Sequence, residues 1–297
     1  MSGTVSAVFV EEFDANVHQA YQGMQLLAGR VRTKRGVVGN KVHFPVLGAL
    51  RAYPKVHRAP VIPANAVWTR PEATLTDWHI ADLTDVFEDI KTNVDERKQL
   101  ATSFSMAMGR QEDEMIMDLM ESATLTGDNE TPVGGTAFQP KLDITDNTRP
   151  SKLIGSAVSA MRNRGVNRRE MTTAVLPAIW EADFIADPSI SSRDYGGGEA
   201  QRTGAVPQTN AVDLVFMDDR TASATDPSDL SGGFNSKGGI GYMFAMNAIG
   251  MAYGKDTTLE IGWQQLYTSW LVTVCLSLGG VLVDTKGVQK ITGGPTS

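Results

Sequence analysis

A chain of 297 residues, 41% of them hydrophobic, can bury one large core or two small ones. Its single cysteine, Cys275, excludes an internal disulfide framework and fits a reducing compartment, and no stretch approaches the ~20 continuous apolar residues of a membrane-spanning helix. The formal net charge of -7 argues against a uniformly basic, nucleic-acid-binding surface.

The opening apolar run, Val5 to Val10, has no basic residue before it and no cleavage site after it, so no secretion signal is expected. Phe9, Phe13, Val17, Tyr21 and Met24 then recur at helical spacing and predict an amphipathic arm. Charge is partitioned along the chain. Between Asp14 and Glu72 there is no acidic residue but nine basic ones: Arg30, Arg32, Lys34, Arg35, Lys41, Arg51, Lys55, Arg58 and Arg70. From Glu72 to Glu130 fifteen acidic residues face only Lys91, Arg97, Lys98 and Arg110. Two such blocks either meet, within a subunit or between subunits, or stay as separate solvated faces.

Residues 37–70 contain Val42-His43-Phe44-Pro45-Val46 followed by Pro54, Pro60 and Pro63. Prolines at that density forbid a helix interior and a central strand, which leaves an extended, two-stranded excursion. It is too long and too poor in apolar residues to bury itself, and needs a partner surface to order it. The strongest element follows. Asn93 as N-cap, with Glu96 three residues on, makes a capping box, and Leu100, Phe104, Met108, Met115 and Leu119 form a stripe flanked by Ala101, Ala107 and Ile116. The helix is expected to run to about Ala123, a rod of about 45 Å at ~1.5 Å per residue, with Gly127 beyond it. Asp118 and Glu121 near its C-terminal end oppose the helix dipole and hint at an external basic partner.

A turn-rich stretch, Gly127 to Pro150, leads to a second helix from Ser151 to Arg164, stopped by Gly165. A strand at Thr172 to Leu176 and a short helix opened by Pro177 come next. Loops are expected around Gly196-Gly197-Gly198 and from Asp218 to Gly239. The remainder reads as strands: Val212 to Met217, Ile240 to Tyr253, Thr257 to Trp263, Thr268 to Leu276 and Gly280 to Val283.

A search for catalytic chemistry comes back empty. His18, His43, His57 and His79 are scattered, with no ligand spacing to another His, Asp or Glu. Lys237-Gly238-Gly239-Ile240-Gly241 lacks the Lys-Ser/Thr of a phosphate loop, and no Gly-x-Ser-x-Gly elbow occurs. Cys275 sits in an apolar strand as a small core side chain. Glu112-Asp113-Glu114 occupy consecutive helix positions pointing different ways, which predicts a solvated face rather than a paired-carboxylate centre. No catalytic residue, metal site or cofactor is expected.

An N-terminal arm, a basic extended loop, a long acidic helix and a mixed domain ending in long strands resembles the tailed-bacteriophage major capsid proteins of the Hong Kong ninety-seven (HK97-like) fold, nearest their short-tailed branch. The residues carrying the resemblance are Val38-Gly39-Asn40-Lys41-Val42-His43-Phe44-Pro45-Val46-Leu47-Gly48, Asn247-Ala248-Ile249-Gly250-Met251-Ala252 through Trp270-Leu271-Val272-Thr273-Val274, and Leu278-Gly279-Gly280-Val281-Leu282-Val283-Asp284-Thr285-Lys286-Gly287-Val288. The resemblance implies an α+β fold with an N-terminal arm (1–36), an extended loop (37–71), a peripheral domain (72–144) with its spine helix at about 93–125, an axial domain (145–253), return strands (254–277) and a C-terminal axial strand (278–297).

It further implies a non-enzymatic coat protein that forms hexamers and pentamers of an icosahedral head around double-stranded DNA, in the virion after assembly in the host cytoplasm. The implied partners are further copies of the chain, a separate scaffolding protein, a portal at one vertex and a decoration protein, with no membrane. Inter-subunit contacts are expected from loop residues Lys41, Phe44, Val46, Leu47, Arg51, Lys55 and Arg58, from spine residues Glu112, Asp113, Glu114, Asp118 and Glu121, and from arm residues Phe9, Phe13, Val17 and Tyr21. Some relatives cross-link a loop lysine to an asparagine, a role open to Lys55 or Lys41. Packaged DNA should be bound only weakly by an acidic chain, unless Arg30 to Arg35 face inward onto phosphates. The alternatives are a nanocompartment shell of the same fold and, from a different class, a hydrolase with an unrecognised carboxylate site.

Overall fold

In the computed structural model the described residues are 23–58, 60, 63–85, 96–125, 150–167, 169–187, 190, 208–218 and 240–292. The expected arm residues Phe9, Phe13, Val17 and Tyr21, the Asn93 cap, and the loops around Gly197 and Gly233 lie outside them. In chain order the elements are β1 (Arg32–Lys34), β2 (Lys41–His43), β3 (Val46–Leu47), β4 (Trp68–Thr69), β5 (Glu72–Thr74), β6 (Thr76–Asp85), α1 (Glu96–Leu125), α2 (Pro150–Asn163), β7 (Thr172–Pro177), α3 (Glu181–Ala186), β8 (Gln208–Thr209), β9 (Val212–Met217), β10 (Ile240–Ala245), β11 (Ile249–Gln264), β12 (Ser269–Leu282) and β13 (Val288–Thr292).

Two sheets organise the fold. The first has the order β1-β11-β12-β6, built on the long antiparallel pair β11 and β12, with β1 joining in parallel. Along β12, Val272, Val274, Leu276 and Leu278 are buried on one face, as strand alternation requires. Cys275 falls between them and so turns to the other face, where it is only half-buried opposite His79; alternation overrides its apolar neighbours in sequence. The second sheet has the order β13-β10-β7-β9-β8, with β7 and β9 parallel. α2 contributes Leu153, Ile154, Ala157, Val158 and Met161 to the same core cluster as this sheet.

α1 is 30 residues long and contributes Met108, Ile116, Met117, Met120 and Ala123 to that core. Its buried face is rotated from the expected stripe: Met115 and Leu119 are only partly buried, while Glu112 and Asp113 are buried. The strand expected from Ile240 to Tyr253 is interrupted by a 3-10 turn at Met246–Ala248. The Met246 N–H donates to the Met171 carbonyl at 3.0 Å and the Asn247 N–H to the Glu170 carboxylate at 2.8 Å, so the segment before β7 draws the backbone out of the ladder.

Glycines in the two family-like phrases have steric reasons. A Cβ on Gly279 would lie 2.1 Å from the Thr74 carbonyl oxygen, and one on Gly280 would lie 2.5 Å from Leu119 Cδ1. The first lets the root of the loop lie against β12, and the second lets α1 approach the sheet. Gly250 leaves room for the Phe44 ring, whose nearest atom would stand 2.9 Å from a Cβ there.

Candidate assembly surfaces

The proline-rich excursion is a two-stranded arm. β2 pairs antiparallel with β5, and β3 with β4, and the Gly48 N–H closes the last rung to the Val67 carbonyl at 2.8 Å. Beyond that rung the described residues 49–58 and 63–67 form no strand and are all exposed. Leu50, Tyr53, Val56, Val67 and Trp68 each leave more than half of their surface in solvent, at 55%, 63%, 68%, 67% and 60%. Isolated exposed apolar residues are ordinary, but a run of them on one unsupported arm marks an interaction surface.

The expected loop contacts divide into root and tip. Phe44 is buried inside its own subunit with Val42, Ala73 and Ala252, under the Arg32 guanidinium at 5.6 Å from the ring centroid. Its burial is intramolecular because Gly250 opens the space for it, where the sequence suggested burial by a neighbour. Val46 is half-buried and Leu47 is exposed. Lys41 is already engaged with Glu72 at 2.5 Å, an exposed pair whose hydrogen bond holds the Glu72 pKa below the usual carboxylate range. Arg51, Lys55 and Arg58 are exposed and make no ion pair among the described residues.

The acidic helix face divides too. Asp113 is fully buried and accepts the Leu26 N–H at 2.8 Å and the Leu27 N–H at 3.0 Å. Glu112 is buried and accepts a hydrogen bond from the Tyr253 hydroxyl. Burial and that bond push the Tyr253 phenol far above its ordinary pKa, so it stays a donor. Arg35 stacks on the Tyr253 ring at 4.8 Å and pairs with Asp256 at 2.6 Å. These two carboxylates therefore serve the interior, where the expectation was solvated positions. Glu114 is half-buried and Asp118 is exposed, although partial burial of its carboxyl raises its pKa. Glu121 is half-buried; burial raises its pKa while Lys290 of β13 lowers it, so a basic neighbour for this helix end comes from the same chain.

Replacing Tyr253 by Phe is expected to lower stability by about 2 kcal/mol, because it strands a buried carboxylate without its hydroxyl donor. Urea denaturation midpoints of the two proteins measure this; an unchanged midpoint would mean that solvent reaches Glu112.

A second exposed apolar surface was not anticipated. At the far end of the β11–β12 hairpin, Leu259, Ile261, Trp263, Leu266 and Tyr267 are exposed, and Trp263 meets Trp270 edge-to-face at 5.3 Å. The signal was the aromatic composition of a turn, Trp263 to Tyr267, where polar turn formers are usual.

No group of three or more metal-ligating side chains stands together among the described residues, and none of their helices is long and apolar enough to cross a membrane. A cleft of about 400 Å3 at the loop root has Arg32, Val46, Arg164, Glu170, Asp284 and Lys286 on its walls. Its carboxylates are bound to backbone amides, Glu170 to Asn247 at 2.8 Å and Asp284 to Lys286 at 3.0 Å, the work of structural caps rather than of an acid–base pair.

Residues 5–293 match the family model described as phage capsid protein. No curated protein matches the chain. Among solved structures it is similar to the capsid of cyanophage P-SCSP1u at 14% identity and a TM-score of 0.72, covering 97% of this chain and 94% of that one. It is similar to a chain of Mycobacterium phage Che8 at 18% identity and a TM-score of 0.69, covering 96% and 97%. It also resembles a chain in the mature capsid of bacteriophage PhiM1 at 10% identity and a TM-score of 0.70, covering 96% and 92%. At these identities the structures speak to the fold, and the family model speaks to membership. The chain belongs to the phage capsid protein family: it is a non-enzymatic, shell-forming virion protein with the HK97-like α+β fold.

Proposed function

We propose that this chain is the major capsid protein that assembles into hexamers and pentamers and closes an icosahedral head around phage double-stranded DNA. The observation that carries this reading is the extended arm, which exposes Leu50, Tyr53, Val56, Val67 and Trp68 and three cations with no ion pair among the described residues of their own chain. In this reading the segment 37–71 lies across an adjoining subunit and meets the acidic side of its α1, where Asp118 is exposed. Each exposed ion pair contributes only ~0–1 kcal/mol, so the charges set register and partner choice while the apolar residues supply most of the affinity.

α1 and the four-stranded sheet form the peripheral domain, and the five-stranded sheet forms the axial domain gathered around five- and six-fold centres. Phe9, Phe13, Val17 and Tyr21 reach a further neighbour. A separate scaffolding protein, a portal at one vertex and a decoration protein are the other partners, assembly takes place in the host cytoplasm, and DNA is held weakly by a chain of net charge -7. Negative-stain microscopy of the protein, expressed with and without its scaffolding protein, is expected to show closed shells with five-fold vertices. Monomers that never assemble under either condition would overturn the reading, and shells purified from phage-free cells around a cargo enzyme would point to a nanocompartment.

A further inference from the structure

We propose that Gly109, Arg110 and Asp113 of α1 form a latch that grips residues 23–27 by their backbone and so fixes the path by which the chain enters β1. The grip is specific in geometry. The two oxygens of the fully buried Asp113 carboxylate each take one of two consecutive amides, Leu26 at 2.8 Å and Leu27 at 3.0 Å. Arg110, one turn earlier, donates from its guanidinium to the Gly23 carbonyl at 3.2 Å. Gly109 lies four positions before Asp113 on the same helix face, and a Cβ there would stand 2.8 Å from Gln25 Cβ. Three residues within little more than one turn thus touch Gly23, Gln25, Leu26 and Leu27.

Neither Gly109 nor Asp113 serves the helix for its own sake. Glycine is a poor residue for a helix interior, and a buried carboxylate is costly unless it is hydrogen-bonded. Both are explained by the passing strand of chain. The hydrogen bonds from Asp113 and Arg110 go to main-chain atoms of the strap, whose Met24 and Gln25 side chains are exposed. After the strap, Leu27 enters the core, the Arg30 N–H bonds the Leu27 carbonyl at 3.1 Å, and Gly29 turns the chain at φ +75 toward β1. The latch thus holds the strap from Gly23 to Leu27 against the middle of the long helix, ahead of that glycine turn.

The test is hydrogen exchange on the full chain, reading residues 23–27 beside the core of α1, for Gly109→Ala and Asp113→Asn. Alanine is the better helix former, so the latch predicts that Gly109→Ala leaves protection in α1 equal or higher. It also predicts at least tenfold faster exchange at Leu26 and Leu27 and faster tryptic cleavage after Arg30. Asp113→Asn keeps the shape but leaves one acceptor for two amides, and should speed exchange at Leu26 or Leu27 by a similar factor. Exchange at 23–27 within threefold of the unsubstituted protein in both variants would overturn the proposal. So would equal loss of protection across strap and helix, or failure of both variants to fold, since a latch is separable from the fold. The readout is local to the subunit, so it succeeds or fails whether or not shells form.

Discussion

A chain carrying Arg51→Glu, Lys55→Glu and Arg58→Glu is expected to remain folded and soluble and to form no shells. All three side chains are exposed on the arm and make no ion pair among the described residues, so their reversal removes no described contact that holds the subunit together. Each reversal turns an attraction of up to ~1 kcal/mol into a repulsion of similar size. Three on one arm amount to several kcal/mol per contact, about two to four orders of magnitude in a pairwise constant at ~1.4 kcal/mol per decade. A closed shell repeats that loss at every subunit. Size-exclusion chromatography and negative-stain microscopy read the assembly, and thermal melting by circular dichroism reads the fold. Normal shells from the triple variant would remove the electrostatic part of the proposal and leave the apolar part standing.

Gly279→Ala is expected to be the most damaging single methyl group in the protein, at about 3 kcal/mol or more, or to abolish soluble expression. Overpacking usually costs ~1–3 kcal/mol because side chains near the intrusion can turn aside. Here the atom in the way is the Thr74 carbonyl oxygen, 2.1 Å from where the methyl would sit, with the Thr74 carbonyl carbon at 2.7 Å. Thr74 is tied to Lys41 through β5 and β2, and Gly279 is registered against Ala252 in β11, so neither backbone has room to yield. Gly262→Ala in the same sheet is the control: nothing lies within 4 Å of its new methyl group, and its effect should stay within about 0.5 kcal/mol. Equal urea midpoints for the two variants would show that the seam between loop root and sheet is looser than the geometry requires.

These cases also explain what the amino-acid sequence could and could not disclose. The extended loop was legible because proline constrains its own φ and lacks an N–H, a property that needs no partner to be known. The long helix was legible because good helix formers dominate it in spite of Gly109, and it spans Glu96–Leu125 against an expectation of about 93–125. The rotation of its buried face was not. An apolar stripe places Met115 and Leu119 inward, yet the buried face passes through Glu112 and Asp113, whose partners Tyr253 and Leu27 lie 141 and 86 residues away. A carboxylate satisfied over that distance looks the same in sequence as a solvated one. The fate of Phe44 was hidden in the same way, since the space it fills is created by Gly250. The exposed turn from Trp263 to Tyr267 is visible as composition, but nothing in the strands on either side of it says that its aromatic and apolar side chains stay uncovered.

The strand β1 carries a consequence for timing. It pairs in parallel with β11, and beside it Arg35 reaches Asp256, 221 residues later in the chain. On its other side the loop runs into β5 and β6, and β6 is held by β12. The strands that hold both ends of the arm at 37–71, β11 beside β1 and β12 beside β6, are therefore translated long after it, and such distant pairings close late in folding. A chain that stops short of β11 therefore lacks the two strands against which β1 and β6 are held, and with them the footing of the arm.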